Sequence, residues 1–248
     1  HIEDVVAKFR ARSDVPVTLI RNDRNLGFAK ANNQAIRRCS GRVVALLNPD
    51  TRVTKGALKR TLEWMAARPD VGIIGPKLLN HDGSLQESVR KFPGLIDQAL
   101  ILLKLQHVWP SAPPFRTYLA KDLDYGKEQD VDQLMGAALF VRRKVFESVG
   151  LLDERFFIWF EDVDFCKRAK AAGWGVVYLP TVQVIHHGGA SFAQAMTLRK
   201  QRYFTSSMAK YFRKHRGAWS LAVLALPMLV GLLAASANSL WKSVRDKR

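Results

Sequence analysis

Three short segments of the chain carry residue types that could do chemistry. The first is Asn48-Pro49-Asp50-Thr51, directly after an apolar run at 42–47. A carboxylate there, on a turn stiffened by Pro49, can hold a hard divalent cation through oxygen. The same residues are also what an ordinary turn uses, so this segment alone leaves both readings open. The second is FFIWFEDVDFCKR at 156–168, in which Glu161, Asp162 and Asp164 crowd the start of a helical pattern. Acids in a first turn complement the helix dipole. Three in four positions also repel one another, and the five preceding residues, Phe156 to Phe160, form an apolar wall. A carboxyl beside such a wall has its pKa raised toward the range of a general base. The third is VQVIHHGGAS at 182–191, an apolar strand ending in His186 and His187. Imidazole is a common metal ligand, but adjacent strand residues face opposite ways, so at most one histidine looks into a given cleft. A structural or merely exposed histidine fits the same pattern.

The elements that must position these segments are helices and strands in alternation. The spacing predicts a helix over IEDVVAKF and a strand over VTLIRN at 17–22. A second helix follows in GFAKANNQAIRRC, with Phe28, Ala31, Ala35, Ile36 and Cys39 on one face and Gly41 as its stop. A strand at 42–47, a helix in GALKRTLEWMAARPD and a strand in VGIIGPKLL come next. Residues 92–130 carry Pro93, Pro110, Pro113 and Pro114 and read as an excursion or lid rather than core. After it QLMGAALFVRRKVFESVG reads as a strand running into a helix. The acidic helix then stops at Gly173, ahead of a strand in VVYLP. The alternation predicts an α/β fold with a mostly parallel mixed sheet flanked by helices. Ligands in such sheets collect at the carboxyl ends of strands, where Asn48–Thr51 lies.

Composition narrows the class. The 248 residues are 48% hydrophobic and 25% charged, with 16 Gly and 10 Pro. Those proportions exclude collagen-like and broadly disordered chains. Two cysteines, Cys39 and Cys166, are too few for a disulfide scaffold, and both read as small core residues in a reducing compartment. The net charge is +17, from 39 Lys+Arg against 22 Asp+Glu. Eleven of the basic residues and a single acid lie from 199 to the end. The excess is a tail property rather than a coating surface, and no nucleic-acid motif with interleaved aromatics accompanies it. Nucleic acid is therefore not the expected partner.

The same tail holds AWSLAVLALPMLVGLLAASA at 218–237, twenty residues without a charge. That length covers a hydrocarbon core of roughly 30 Å. Trp219 and Trp241 sit where interfacial aromatics belong. A spanning helix, a helix lying in the membrane surface and a soluble helix all fit the pattern. The expected organisation is a catalytic domain at 1–198 and a basic, apolar, membrane-associating tail at 199–248.

Taken in order, the motifs are similar to those of the family-2 inverting glycosyltransferases of the GT-A fold, and within them the bacterial rhamnosyltransferase-like branch. The resemblance runs over about 1–215. It rests on RNDRNLGFAKANNQAI, VVALLNPDTRV with its following GAL, and VGIIGPKLLNHDGSLQESVRKFP. It continues in VDQLMGAALFVRRKVFESVGLLDERFFIWFEDVDFCKRAKAAGWGVVYLP and VIHHGGAS. It implies that Asn25, Gly27 and Asn33 line the nucleotide side of a donor site. Asn48 and Asp50 match the family's Asp-X-Asp, with Asp50 meeting Mg²⁺ or Mn²⁺ and the diphosphate. The first Asp of that motif is Asn48 here, which leaves the contact made at that position open. The Glu161–Asp162 pair matches the acidic pair whose aspartate is the catalytic base. His186, ahead of His187, matches the histidine that approaches the metal. Arg90, Gly136 and Ala137 fall in blocks facing donor or acceptor.

The implied activity is single-displacement transfer of a sugar from a nucleotide-sugar to a saccharide or polyprenyl-linked acceptor, at the cytoplasmic face of the plasma membrane, in cell-envelope polysaccharide synthesis. The family's opening strands would precede His1, so a βαβ unit of about 30 residues is expected upstream and the chain is read as a fragment. The competing reading is an inactive nucleotide-sugar-binding module tethered to the membrane. A sugar-1-phosphate nucleotidyltransferase would need a Gly-rich phosphate loop near its start.

Overall fold

The computed structural model describes residues 2–188 and 197–245, with side chains to 239. In chain order the helices are α1 (Ile2–Arg10), α2 (Phe28–Arg38), α3 (Ala57–Ala67), α4 (Leu95–Leu102), α5 (Pro113–Tyr118), α6 (Arg143–Val149), α7 (Glu161–Ala171), α8 (Leu198–Arg216) and α9 (Trp219–Arg245). The strands are β1 (Val43–Leu47), β2 (Thr51–Val53), β3 (Val71–Leu79), β4 (Leu85–Gln86), β5 (Val89–Arg90), β6 (Gln129–Asp130), β7 (Gln133–Leu134), β8 (Ala138–Arg142) and β9 (Gly175–His186).

The main sheet runs β1-β8-β3-β9-β2, with β4 on β3 and β6 on β9; β5 and β7 form a separate ribbon. β3 is apolar on both faces and almost wholly buried, as a central strand must be. The sheet is mixed and flanked by helices, as expected, but its parallel share is smaller than the alternation suggested. Among the described residues only β3 and β9 pair in parallel; β1–β8, β3–β8, β2–β9, β3–β4 and β6–β9 are antiparallel. β8 returns down the sheet between β1 and β3, and no periodicity in a sequence encodes strand direction.

Four local expectations need correction. Residues 17–22 form no strand, because among the described residues they pair with none and a ladder needs a partner. On α2 the buried residues are Ala29, Asn33 and Ile36, while Ala31, Ala35 and Cys39 face solvent. The buried stripe therefore includes an asparagine, which an apolar pattern cannot reveal, and Cys39 is no core residue; Cys166 is buried. VVYLP and VQVIH are one strand, β9, carried past Pro180 by a register shift against β3 between Pro76 and Lys77. Residues 92–130 are not a loose excursion, because Leu102, Ala112, Phe115 and Ala120 are buried.

Leu102 joins a core of its own with Phe156, Phe160 and Val163 ahead of and on α7, Met208, Tyr211 and Phe212 on α8, and Leu224 on α9. The basic segment 199–216 is thus an amphipathic helix built against the acidic helix. α9 lays Ser220, Leu224, Pro227, Gly231 and Ala235 on the protein, a stripe at helical spacing. Its other face exposes Trp219, Val223, Leu226, Leu229 and Leu233. Among the described residues it is the one helix long and apolar enough to cross a membrane.

Candidate active site

β1 ends at Leu47 and the chain turns at Asn48-Pro49-Asp50. Asn48 N donates to Ala137 O at 2.9 Å, and both Thr51 N and Thr51 Oγ1 donate back to Asn48 O, so the turn is fixed from both sides. β2 then pairs Thr51 with His186. That register brings Asp50 beside the end of β9, with Asp50 Oδ1 3.4 Å from His186 Nε2. His187 N donates to Asp50 O at 2.8 Å, while its own ring points outward and packs edge-on against His81. The two histidines face opposite ways, as strand geometry requires.

His186 is buried, and Gln86 Oε1 lies 2.7 Å from its Nδ1. Gln86 Nε2 donates to Asn80 Oδ1, which orients the amide so that its oxygen faces the imidazole. With the proton held on Nδ1 by that oxygen, the Nε2 lone pair is turned toward Asp50. A carboxylate and an imidazole oriented by Gln86 face one another, a donor set whose chemistry would fit a divalent cation. The described residues hold no cluster of three metal-ligating side chains, so the protein alone supplies a partial set. Gln86 was not singled out from the sequence; a glutamine in a two-residue strand gives no signal there.

The second group sits at the start of α7. Asp162 Oδ2 accepts from Gly136 N at 2.8 Å and its Oδ1 from Val163 N at 2.8 Å. Burial pushes its carboxyl up in spite of those two N–H donors. Burial, and then the charge of Asp162, push the neighbouring Glu161 up to about 8. Glu161 Oε2 is buried with no hydrogen-bond partner. This is the effect expected of an acid behind an apolar wall. Gly136 sits close against the acid: a Cβ there would lie 3.3 Å from Asp162 Oδ2 and 3.6 Å from the Phe28 ring.

The third acid has a different fate. Asp164 is fully buried and accepts from Arg168 Nε, Lys214 Nζ and His215 Nε2 at 2.6–2.8 Å. Burial alone would raise its pKa, but those three partners outweigh it and carry the carboxyl below its usual value. It is a structural anchor between α7 and α8.

The remaining predicted residues divide. Asn25 Oδ1 accepts from Gly27 N, closing a turn on the exposed side. Gly27 has φ +84°, and a Cβ would lie 2.4 Å from Phe157 O, so only glycine lets α2 dock on the loop before the acids. Asn33 does not face an open cleft. Its amide donates to Leu152 O and Glu154 Oε1 and accepts from Leu152 N, leaving it fully engaged in holding that loop. Arg90 pairs through its backbone with Gln133 and donates from Nη1 to its own neighbour Val89 O. Ala137 is buried and contributes its carbonyl to Asn48.

One chain of short contacts therefore joins the two acid groups. It runs from Asp162 to Gly136, through Ala137 O to Asn48 N, and on through the turn to Asp50 and His186. A buried carboxyl stands at one end and a carboxylate–imidazole pair at the other. A residue that sequence reading missed, Tyr118, stands near the first end. Its hydroxyl is pushed up to about 12 by burial and feels the charges of Arg90, Asp97 and Asp162.

Solved structures share this architecture. The chain superposes on a mannosyltransferase from Pyrobaculum calidifontis, determined with GDP-Man and Mn²⁺, with a TM-score of 0.56 and 17% identity, covering 98% of this chain and 62% of that one. It also superposes on GalNAc-T7, determined with UDP, GalNAc and Mn²⁺, at a TM-score of 0.54 and 13% identity, over 84% and 39% of the two chains. Among curated proteins it is 31% identical over 214 residues to the N-acetylglucosaminyl-diphospho-decaprenol L-rhamnosyltransferase of Mycobacterium tuberculosis, across 82% of this chain and 69% of that protein. It is 26% identical over 202 residues to the rhamnosyltransferase WbbL of Escherichia coli, across 77% and 71%. The family model described as glycosyltransferase-like family 2 matches residues 1–219. With that match over most of its length, the chain belongs to glycosyltransferase family 2.

Proposed function

We propose that this protein transfers a sugar, rhamnose, from a nucleoside-diphosphate donor to a saccharide on a polyprenyl diphosphate, inverting the anomeric carbon. The observation that carries the reading is the run of contacts from Asp162 to the Asp50–His186 pair. It supports a base at one end of the cleft and a diphosphate-binding end at the other. The acceptor hydroxyl would give its proton to Asp162 as its oxygen attacks the anomeric carbon from the face opposite the leaving diphosphate. A positioned general base contributes roughly 10²–10⁴ in rate. Gly136 N and Val163 N hold both carboxylate oxygens, fixing the lone pair that receives the proton. Glu161, largely protonated at neutral pH, leaves the negative charge of the pair on Asp162. Asp50 and His186 would hold Mg²⁺ or Mn²⁺, which when bound neutralises charge on the leaving diphosphate. The names of the relatives support the choice of sugar and of a lipid-linked acceptor.

For location we propose the cytoplasmic face of the plasma membrane, with α9 lying in the bilayer surface. One face of α9 packs on α4 and α8 while its outer face is apolar, which supports a helix lying in the membrane surface. Intact α9 should remain open to protease in sealed inverted vesicles; protection of its C-terminus would mean that it spans.

The activity is tested by incubating the full chain with dTDP-rhamnose, Mn²⁺ and a synthetic N-acetylglucosaminyl diphosphoprenol. The product should carry the opposite anomeric configuration to the donor. Retention of configuration, or donor hydrolysis that ignores the acceptor, would refute single displacement onto this acceptor.

A further inference from the structure

Lys167 sits on α7 five residues beyond Asp162, about 7.5 Å along the helix axis at 1.5 Å per residue. Its ammonium is half-buried over two rings, 5.5 Å from the centre of Phe92 and 5.4 Å from that of Tyr211, with Tyr211 Oη at 3.4 Å. Among the described residues no carboxylate comes within ion-pairing distance of it, nor of Arg90 or Arg216. Burial, and then the like charge of Arg216, lower its pKa against the weaker pull of Asp164 and Asp132. Arg216 ends α8 one residue after His215, whose ring lies 4.7 Å from that of Tyr211. The acids nearby are committed elsewhere. Asp97 caps α4 through Gly94 N, Asp132 accepts from Phe92 N, and Asp164 is saturated by Arg168, Lys214 and His215. A half-buried cation without a carboxylate partner is costly unless an anion reaches it.

The surroundings indicate the kind of anion. Beyond Phe92, the residues Leu95 and Ala99 of α4 and Leu224 and Met228 of α9 pack together in one apolar cluster. The same two helices also expose Ile96, Trp219 and Val223 to solvent. On the inner side, Arg90 lies two residues before Phe92, Lys91 N between them donates to Tyr118 O at 2.9 Å, and Tyr118 feels the charges of both Arg90 and Asp162. The cations thus lie between a proton acceptor and an apolar surface.

We infer that Lys167 and Arg216, with Arg90 on the inner side, form a subsite for the diphosphate of a prenyl-linked acceptor, whose chain runs over α4 and α9. This rests on the proposed glycosyltransferase reading and deepens it by separating the acceptor's diphosphate from the donor's. The sugar would bridge from the cations to Asp162, and the lipid would leave toward the exposed face of α9.

The test uses the full chain in non-ionic detergent and farnesyl diphosphate as probe, followed by calorimetry without added metal. Binding should weaken at least tenfold in Lys167→Gln and in Arg216→Gln and be restored toward wild type in Lys167→Arg. Inorganic pyrophosphate should compete, and farnesol should bind at least tenfold more weakly than the diphosphate. Arg216 is exposed at a helix end, so its variant keeps the test sound if Lys167→Gln misfolds. Equal binding by both Gln variants, or by farnesol, overturns the subsite. So does a requirement for Mn²⁺ together with loss in Asp50→Ala, which would place the probe at the donor end. Loss of affinity for phosphatidylglycerol vesicles, with farnesyl diphosphate binding unchanged, would likewise overturn it in favour of a headgroup contact. Intact charge-dependent probe binding without any sugar transfer would sink the glycosyltransferase reading and leave the subsite standing.

Discussion

Glu161→Gln should make the protein more stable above neutral pH and leave it unchanged in acid. Burial and Asp162 raise the Glu161 carboxyl from an ordinary value near 4.5 to about 8. The folded state then binds more protons than the unfolded state between those two values, so wild-type stability falls as pH rises through that window. The favourable contribution is complete below pH 4.5 and lost above 8. At 1.36 kcal/mol per unit, the full rise corresponds to roughly 5 kcal/mol, an upper bound. Because Asp162 shares the burial and the pair relaxes together, about 2 kcal/mol is the amplitude we expect in the difference. For a chain of this size each kcal/mol moves Tm by about 2–4 °C. The variant should therefore melt about 4–8 °C above wild type at pH 9, with equal Tm at pH 4, in paired thermal melts across that range. Gln resembles the protonated acid, so sugar transfer at pH 7 should persist. A Tm difference that is flat with pH would show that Glu161 is not held protonated, and the argument for charge resting on Asp162 would go with it.

Asp162→Asn should lower transfer by at least 10²-fold while donor binding, measured by calorimetry, stays within a few-fold of wild type; a fall of less than about tenfold is too small for a general base. Asp50→Ala should abolish Mn²⁺-dependent donor binding, with His186→Ala milder and His187→Ala near wild type; a reversed order of the histidines in metal titrations would contradict their facing. Gln86→Leu frees the His186 tautomer and should weaken Mn²⁺ affinity by about 10–100-fold; unchanged affinity would remove Gln86 from the site. Gly27→Ala, strained by positive φ and by contact with Phe157 O, should destabilise by more than about 1 kcal/mol in denaturant melts.

Most of the candidate site could be marked in the sequence because its residues lie at element ends. Asn48–Asp50 follows an apolar run, Glu161–Asp162 opens a helix, and His186 closes a strand. What sequence could not supply were partnerships across the fold. Gln86 acts only because β4 pairs with β3 and brings its amide to His186, 100 residues away. Asn33 looked like a ligand contact but spans 119 residues to hold Leu152. The direction of β8 and the unpaired state of 17–22 are likewise ladder properties, set by neighbours and not by local pattern.

The basic tail is the clearest case of a composition signal with two causes. Its charge read as a membrane attraction, and Arg199, Arg202 and Arg213 are indeed exposed or partly so. Lys210 and Lys214 are engaged within the protein. Lys210 Nζ donates to Arg155 O, and Lys214 bridges Asp153 and Asp164. Ser207 of the same helix donates to Ile158 O. The next two residues, Trp159 and Phe160, have φ of +65° and +69°, a left-handed conformation that costs about 1–2 kcal/mol for each non-glycine residue. That strain turns the apolar wall inward and starts α7 at Glu161, and it persists only where surrounding contacts over-determine it. α8 supplies those contacts on one side, through Ser207 and the buried Asp164 cluster. Gly27 and Phe28, docked on Phe157 O, supply them on the other. The carboxylate of Asp162 is therefore set by elements more than 120 residues on one side of it and about 50 on the other.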